Sequence, residues 1–75
     1  MNKQNGSYGV DILIWGNIRR YQYLNRLSDE QLAQSLGIST RTLYSYDKNP
    51  STLTLERIQC FLNDSRMNMQ DLTSC

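Results

Sequence analysis

The stretch "LAQSLGISTRTLYSY", residues 32–46, decides the fold that this chain is expected to adopt. Apolar residues recur at helical spacing before Gly37 and again after it. Gly37 itself can take the left-handed conformation that ends many helices. The stretch therefore predicts two short helices joined by a turn of three or four residues that contains glycine. The inward-facing residues are Leu32, Ala33 and Leu36 before the turn and Leu43 and Tyr46 after it.

Residues around the turn are of the types that a close helix crossing needs. Ala33, four residues before Gly37, supplies a small side chain where the helices meet, and Ile38 fills the turn. Ser39 is the expected N-cap of the second helix of the pair. Upstream, Ser28 followed by Gln31 forms a capping box, which marks where the first helix of the pair begins.

The remaining segments also follow helical periodicity. Residues 9–27 predict a first helix with a stripe of Val10, Ile14, Ile18 and Tyr21, closed by Leu24 or Leu27. Pro50 stops the third helix, because it forces Asn49 out of helical geometry. Residues 51–62 restart a helix with an apolar face (Leu55, Ile58, Phe61, Leu62), residues 63–65 break it, and Met67, Met69 and Leu72 predict a short final helix. The expected fold class is all-α, a compact bundle of about five helices.

Length and composition bound the class of protein. Seventy-five residues make one small domain, expected over residues 9–75 after a flexible polar tail at residues 1–8. No apolar run is long enough to span a membrane, and the N-terminal residues do not form a signal peptide. Two cysteines in a chain without histidine cannot complete a zinc site. We therefore expect a soluble cytoplasmic protein with Cys60 as a buried free thiol, Cys75 in solvent and no disulfide.

The residue types of a catalytic site are missing from the pattern. The sequence holds no histidine, no buried pair of carboxylates and no glycine-rich phosphate loop, and nothing near Cys60 would activate its thiol. We therefore predict a non-enzymatic protein with no cofactor and no metal. The net charge of +1 neither requires nor excludes a nucleic-acid partner, so that question depends on where the charges lie.

The outer face of the third helix is dense in hydroxyls. Thr40, Arg41, Tyr44, Ser45 and Lys48 share the side away from the core residues of that helix. An α-helix fits the major groove of B-form DNA, where hydroxyls donate or accept and arginine can bind guanine through two hydrogen bonds. Ser and Thr near a helix start also cap it, so capping is the alternative explanation of these residues.

Three large side chains of the first helix, Ile12, Trp15 and Tyr23, lie off its apolar stripe. One interpretation is a wide apolar face that fits the core of the domain. The other is an exposed patch that contacts a second chain. The tail around Met67 and Met69 is a second candidate for such a contact.

The pattern over residues 10–72, and above all "LSDEQLAQSLGISTRTLYSYDKNPSTLTLERI", resembles the lambda-repressor-like family of helix-turn-helix DNA-binding domains, which includes the Cro and repressor proteins of phages. The resemblance implies that the third helix is the recognition helix. It implies base contacts at Thr40, Arg41 and Ser45, with Ser39 and Tyr44 at the margin. It also implies phosphate contacts from residues at the start of the second helix, including Ser28 and Gln31, and from Lys48 and Asn49.

The chain departs from the family pattern in three places. Asp29 stands where the family often has a neutral donor or a base, and a carboxylate there repels phosphate. Asp47 matches a position that is commonly glutamate paired with an arginine of the first helix. The partner position here is Gln22, so the pair is either weakened or rebuilt from Arg19 or Arg26. The connection "DKNP" is also shorter than usual and lacks the usual glycine.

The leading hypothesis is a sequence-specific double-stranded DNA-binding protein, a phage-type or mobile-element transcriptional regulator that acts as a repressor. One helix reads few base pairs, so a homodimer on two half-sites is expected, with Ile12, Trp15 and Tyr23 as possible dimer contacts. The alternative is a regulator or inhibitor that keeps the helix-turn-helix fold and binds another protein. Near-neutral charge, Asp29 and the short connection favour this alternative.

Overall fold

The computed structural model of the protein describes residues 9–73, and these form a bundle of five α-helices without a β-strand. The predicted all-α fold is therefore confirmed. The predicted tail at residues 1–8 and Cys75 lie outside the described residues. In chain order the helices are α1 (Val10–Leu24), α2 (Asp29–Leu36), α3 (Thr40–Lys48), α4 (Leu55–Ser65) and α5 (Met69–Thr73), with a 3-10 helix at Pro50–Thr52.

One apolar core joins all five helices. The inner faces predicted for α2 and α3 are buried, and Ile38 is half-buried against the core, as expected for the residue that fills the turn. Helix α1 packs on α5, and α2 packs on both α3 and α4. The core consists of Ile14, Trp15, Ile18, Leu32, Leu36, Leu43, Tyr46, Ile58, Phe61, Leu62 and Leu72, with Ala33 buried beside it.

Hydrogen bonds close both ends of α2, the first of the two helices that meet at the corner. Ser28 Oγ accepts from the backbone N–H of Gln31, and the Gln31 side chain accepts from the N–H of Ser28, so the predicted capping box is present. Gly37 is left-handed with φ 72°, and the N–H of Ile38 donates to the carbonyl of Ala33. The left-handed conformation of Gly37 and this hydrogen bond together fix the direction in which the chain leaves α2.

Helix α1 is shorter than predicted, and so is its apolar stripe. It ends at Leu24 because Arg26 is left-handed (φ 56°) and the N–H of Leu27 donates back to the carbonyl of Gln22. Val10, assigned to the core stripe from the sequence, is exposed, and so is Leu24, one of the two residues expected to close that stripe; the other, Leu27, is half-buried. Both lie at the ends of the helix, beyond the buried residues Ile14 and Ile18, and the 3.6-residue period carries no information about where a neighbouring helix ends.

Trp15 corrects a second expectation, since it is 5% exposed and belongs to the core. Its ring meets the ring of Tyr46 edge to face with centroids 5.4 Å apart, and its indole N–H donates to Asp47 at 2.8 Å. The interpretation of Trp15 as part of an exposed dimer patch is therefore wrong. Ile12 and Tyr23, which were grouped with it, are exposed.

Helix α4 begins later in the sequence than expected. Asn49 leaves helical geometry before Pro50, as predicted, but residues 50–52 form the 3-10 helix and α4 begins only after the Thr54 cap. Leu55 is the first residue of α4 and is exposed, so its assignment to the core is wrong. Cys60 is half-buried, whereas full burial was expected.

The end of α4 is set by backbone conformation. The helix runs through residues 63–65, which were expected to break it, and stops where Arg66 turns left-handed at φ 63°. Leu72 of α5 is fully buried, and Met67 and Met69 pack against the core. Over residues 9–73, none of the helices has the length and apolar character that crossing a bilayer requires.

We expect Gly37→Ala and Gly16→Ala to change stability in opposite directions. An alanine at the left-handed Gly37 costs about 1–2 kcal/mol of the free energy of unfolding. Gly16 lies inside α1 with no atom within 4 Å of an added Cβ, so alanine there stabilises by about 0.5–1 kcal/mol. Urea denaturation of both variants measures the two effects. A Gly37→Ala variant as stable as the wild type would contradict the assigned role of the turn.

Candidate nucleic-acid interface

The outer face of α3 is presented to solvent as the sequence predicts. Leu43 and Tyr46 anchor the helix in the core, which turns the opposite face outward. On that face Arg41, Tyr44, Ser45 and Lys48 are exposed, and Thr40 is half-buried. The structure thus brings the predicted base-contact residues together on one face of a single nine-residue helix.

Hydroxyls at the start of α3 serve the helix as well as facing outward. Ser39 Oγ accepts from the N–H of Thr42 at 3.2 Å, which confirms Ser39 as the N-cap. The same oxygen lies 3.2 Å from Thr42 Oγ1. Ser45 Oγ donates to the carbonyl of Arg41 one turn earlier. Capping of α3 therefore accounts for the hydroxyls of Ser39 and Thr42, which contact each other at the helix start. Among the described residues, the Thr40 hydroxyl makes no capping bond.

The residues assigned to phosphate contacts lie at the two flanks of this face. Ser28 and Gln31 are exposed at the start of α2, but their side-chain oxygens accept the two bonds of the capping box. Lys48 is the last residue of α3 and is exposed. Asn49 caps the end of α3, and its side-chain oxygen accepts from Ser51 at 2.5 Å. Of the four, Lys48 is the one that offers a cation.

Arg19 of α1 connects the start of α2 to the end of α3. Its guanidinium donates to Asp29 Oδ1 at the start of α2 at 2.9 Å. Through Nε at 3.0 Å and Nη2 at 2.5 Å it also donates to the two oxygens of Asp47 near the end of α3. A bidentate arginine–carboxylate pair fixes geometry as well as charge. Arg19 thereby ties α1 to both helices of the corner, and the pair expected for Asp47 is rebuilt from Arg19.

Gln22 and Trp15 complete this cluster, and we call Trp15, Arg19, Gln22, Asp29 and Asp47 the Arg19 network. The amide of Gln22 is 8% exposed. Its Nε2 donates to Asp29 Oδ1 at 2.8 Å and to the carbonyl of Leu27 at 3.2 Å, while its Oε1 accepts from Arg19. Arg19 also lies over the Trp15 ring at 5.6 Å, within the range of a cation–π contact.

Asp29, which stands where a carboxylate would repel phosphate, has three hydrogen-bond donors within the protein. Its Oδ1 accepts from Arg19 and Gln22, and its Oδ2 accepts from the hydroxyl of Tyr44 at 2.9 Å. These hydrogen bonds, from Gln22 first and then from Arg19 and Tyr44, lower the pKa of the Asp29 carboxyl. Asp29 also raises the pKa of the Tyr44 phenol. At neutral pH the carboxylate is ionised and the phenol is protonated.

Asp47, the second carboxylate of the Arg19 network, is also kept ionised. The hydrogen bond from Arg19, and with it that from Trp15, lowers the pKa of Asp47. The pKa of Arg19 is raised in turn, chiefly by its bond to Asp47. All three groups therefore stay charged, and the two carboxylates share one guanidinium.

The outer face of α3 consequently has more unpaired positive charge than negative charge. Asp29 and Asp47, whose side chains are both partly exposed, are paired with Arg19, whereas Arg41 and Lys48 find no ion-pair partner among residues 9–73. Glu30, exposed in the first turn of α2, also has no ion-pair partner within that range. The face thus carries two available cations and one acid at its edge.

Sequence reasoning missed the larger part of the Arg19 network. It named Arg19 as one of two possible partners of Asp47, but it left Trp15 undecided and gave Gln22 no hydrogen bonds. The available signal was the spacing of Trp15, Arg19 and Gln22, which places the three on one side of a helix. That side faces α3, a fact that depends on the tertiary packing.

We expect Arg19→Met to lower the free energy of unfolding by about 1–3 kcal/mol, because two carboxylates and the buried Gln22 amide lose their shared partner. The matched control is Arg20→Met, which removes the same charge from an exposed position of the same helix. We expect the control to stay within about 0.5 kcal/mol of the wild type. Equal effects of the two substitutions in urea denaturation would contradict the role of Arg19.

The Arg19 network also predicts how stability depends on pH. The pKa values of Asp29 and Asp47 are lower in the folded chain than in the unfolded one. Their contribution to stability is therefore complete above the ordinary carboxyl pKa and is lost as the pH falls through the lower folded values. We expect wild-type stability to decline below about pH 4 and Arg19→Met to show a shallower decline. Thermal unfolding from pH 7 to pH 2 tests this, and parallel curves would contradict it.

The residues of this surface offer no evident metal site, since residues 9–73 contain no cluster of three or more His, Cys, Asp or Glu side chains placed to hold a metal ion. Comparison of the chain with protein-family models, with curated proteins and with solved structures finds no match.

Proposed function

We propose that the protein is a sequence-specific double-stranded DNA-binding regulator in which α2 and α3 act as a helix-turn-helix. In this proposal α3 enters the major groove and α2 lies across the DNA backbone. The observation that carries the proposal is the outer face of α3, where Arg41 and Lys48 are exposed without an ion-pair partner among residues 9–73 and short hydroxyls surround them.

The side chains of this face suit base edges. An arginine such as Arg41 binds the O6 and N7 atoms of guanine through two hydrogen bonds. Ser45 and Thr40 are short enough to allow close approach, and a threonine methyl packs on the methyl of thymine. Lys48 at the end of α3 is placed to contact a phosphate beside the groove. Long acidic side chains, which would oppose DNA, do not occur on this face of α3.

Placement of charge reconciles the proposal with a net charge of only +1. The carboxylates closest to the face, Asp29 and Asp47, are bound by Arg19. Their negative charge is therefore partly compensated within the protein before a phosphate approaches. The cations Arg41 and Lys48 are free to replace counterions on DNA.

Regulation by such a domain calls for two copies. One recognition helix reads only a few base pairs, so a homodimer on half-sites about one helical turn apart gives useful specificity. A phage-type or mobile-element repressor is the kind of regulator proposed. On α1, Ile12 (44% exposed) and Tyr23 (83% exposed) are the remaining candidates for a dimer contact.

We expect the protein to enrich a defined motif from a random pool of double-stranded DNA. Arg41→Ala is expected to weaken binding to that motif by about 10-fold or more, because an arginine–guanine pair is worth about 1–3 kcal/mol. Fluorescence anisotropy over a range of salt concentrations measures the loss. The matched control is Arg20→Ala, an exposed arginine of α1, which lies near Met67 and Asp71 and away from α3.

Two results would contradict DNA binding at this face. One is the absence of any enriched motif, and the other is an equal loss of affinity in both arginine variants. The second candidate function, binding to a protein partner, is favoured by Glu30 at the edge of the face and by the exposed Ile12 and Tyr23. It predicts a protein complex that survives Arg41→Ala and that Ile12→Ser weakens.

A further inference from the structure

We propose that Tyr44 selects a base with an exocyclic amino group, adenine or cytosine, because its hydroxyl is fixed as a hydrogen-bond acceptor toward DNA. The inference rests on the proposed function and adds to it the chemistry of one base position. It also assigns a part in sequence recognition to Asp29, Gln22 and Arg19, which lie behind the interface.

The polarity of the Tyr44 hydroxyl follows from its partner. Tyr44 Oη lies 2.9 Å from Asp29 Oδ2. An ionised carboxylate has no proton to give and can only accept, whereas a phenol can donate or accept. The single proton of Tyr44 must therefore point at Asp29. The oxygen then has only lone pairs left for any other group.

Asp29 is kept ionised by residues that do not reach the surface of α3. Its other oxygen, Oδ1, accepts from Arg19 at 2.9 Å and from Gln22 at 2.8 Å. Gln22 can donate there because its own oxygen accepts from Arg19. Each donor in this chain is thus fixed by the next, and the chain begins at a guanidinium that is charged at every working pH.

Tyr44 is in a position to use this polarity. It is 47% exposed, and its neighbours on the outer face of α3 are Arg41 and Lys48. In the major groove the hydrogen-bond donors are the N6 amino group of adenine and the N4 amino group of cytosine. Guanine and thymine present the oxygen acceptors O6 and O4 at the equivalent positions, which a hydroxyl without an available proton cannot satisfy.

Asp29→Asn provides the sharpest test, since it can reverse this polarity. An asparagine turned with its amide nitrogen toward Tyr44 donates to the phenol oxygen, and the phenol proton is then free to point at DNA. We expect the preferred base to change from adenine or cytosine to guanine or thymine at one position. Tyr44→Phe removes the hydroxyl and is expected to reduce the discrimination there by about 3- to 10-fold.

The experiment is selection of bound DNA from a random double-stranded pool with the wild type, Tyr44→Phe and Asp29→Asn. Tyr21→Phe, which removes the phenol hydroxyl of a half-buried tyrosine of α1 whose ring packs on Phe61, is the matched control. Circular dichroism establishes that each variant is folded. Because Tyr44 is exposed, Tyr44→Phe keeps the test valid if Asp29→Asn fails to fold. The base recovered in the wild-type motif distinguishes adenine from cytosine.

A motif in which Tyr44→Phe relaxes one adenine or cytosine position, while Tyr21→Phe relaxes none, supports the proposal. A wild-type motif that Tyr44→Phe leaves unchanged, or a relaxed position occupied by guanine or thymine, overturns it and leaves DNA binding intact. A folded Asp29→Asn protein that keeps the same base at the position that Tyr44→Phe relaxes also overturns it. If the wild type enriches no motif, the proposed function itself fails.

Discussion

The guanidinium of Arg19 is the contact on which the arrangement of this small domain depends. It joins α1 to the first residue of α2 and to the last turn of α3, so that three helices are held by one side chain. Apolar packing is not directional, and it would tolerate small rotations of α3 about its buried residues Leu43 and Tyr46. A bidentate pair with Asp47 does not. The burial of Leu43 and Tyr46 turns the outer face of α3 toward solvent, and the polar contacts of Arg19 fix the rotation of the helix more closely.

The Arg19 network also decides what chemistry this face can present. Two carboxylates near a DNA-binding surface would repel phosphate, and the sequence suggests a compensating arginine for Asp47 but none for Asp29. In the structure both carboxylates face Arg19, and one of them fixes the proton of Tyr44. Residues of α1 thus influence a surface that they do not reach. The same contacts lend stability and polarity to the domain, so their two roles separate only in variants that leave the fold intact.

Local signals in the sequence were sufficient where structure is locally determined. The capping box at Ser28, the left-handed Gly37 and the N-cap at Ser39 involve neighbours within a few residues, and all three predictions are confirmed. Helix ends set by unfavoured conformations were missed, since Arg26 and Arg66 are left-handed without being glycine or asparagine. Leu55 was wrongly assigned to the core, and Trp15 was left between two interpretations. Helical periodicity shows which residues share a face of a helix, but it does not show what packs against that face.

In the candidate site, too, the features set by neighbours in the sequence could be predicted, whereas those set by tertiary contacts could not. Placing Thr40, Arg41, Tyr44, Ser45 and Lys48 on one outward face needed only the helical period and the positions of two buried residues. The charge state and hydrogen-bond polarity of that face needed contacts across 15 to 32 positions of the chain, from Tyr44 to Asp29 and from Trp15 to Asp47. A hydroxyl in a sequence is both donor and acceptor, and for Tyr44 only the hydrogen bond to Asp29 removes one of the two roles. In the proposed function, recognition at this face depends as much on the residues that restrict its side chains as on the side chains themselves.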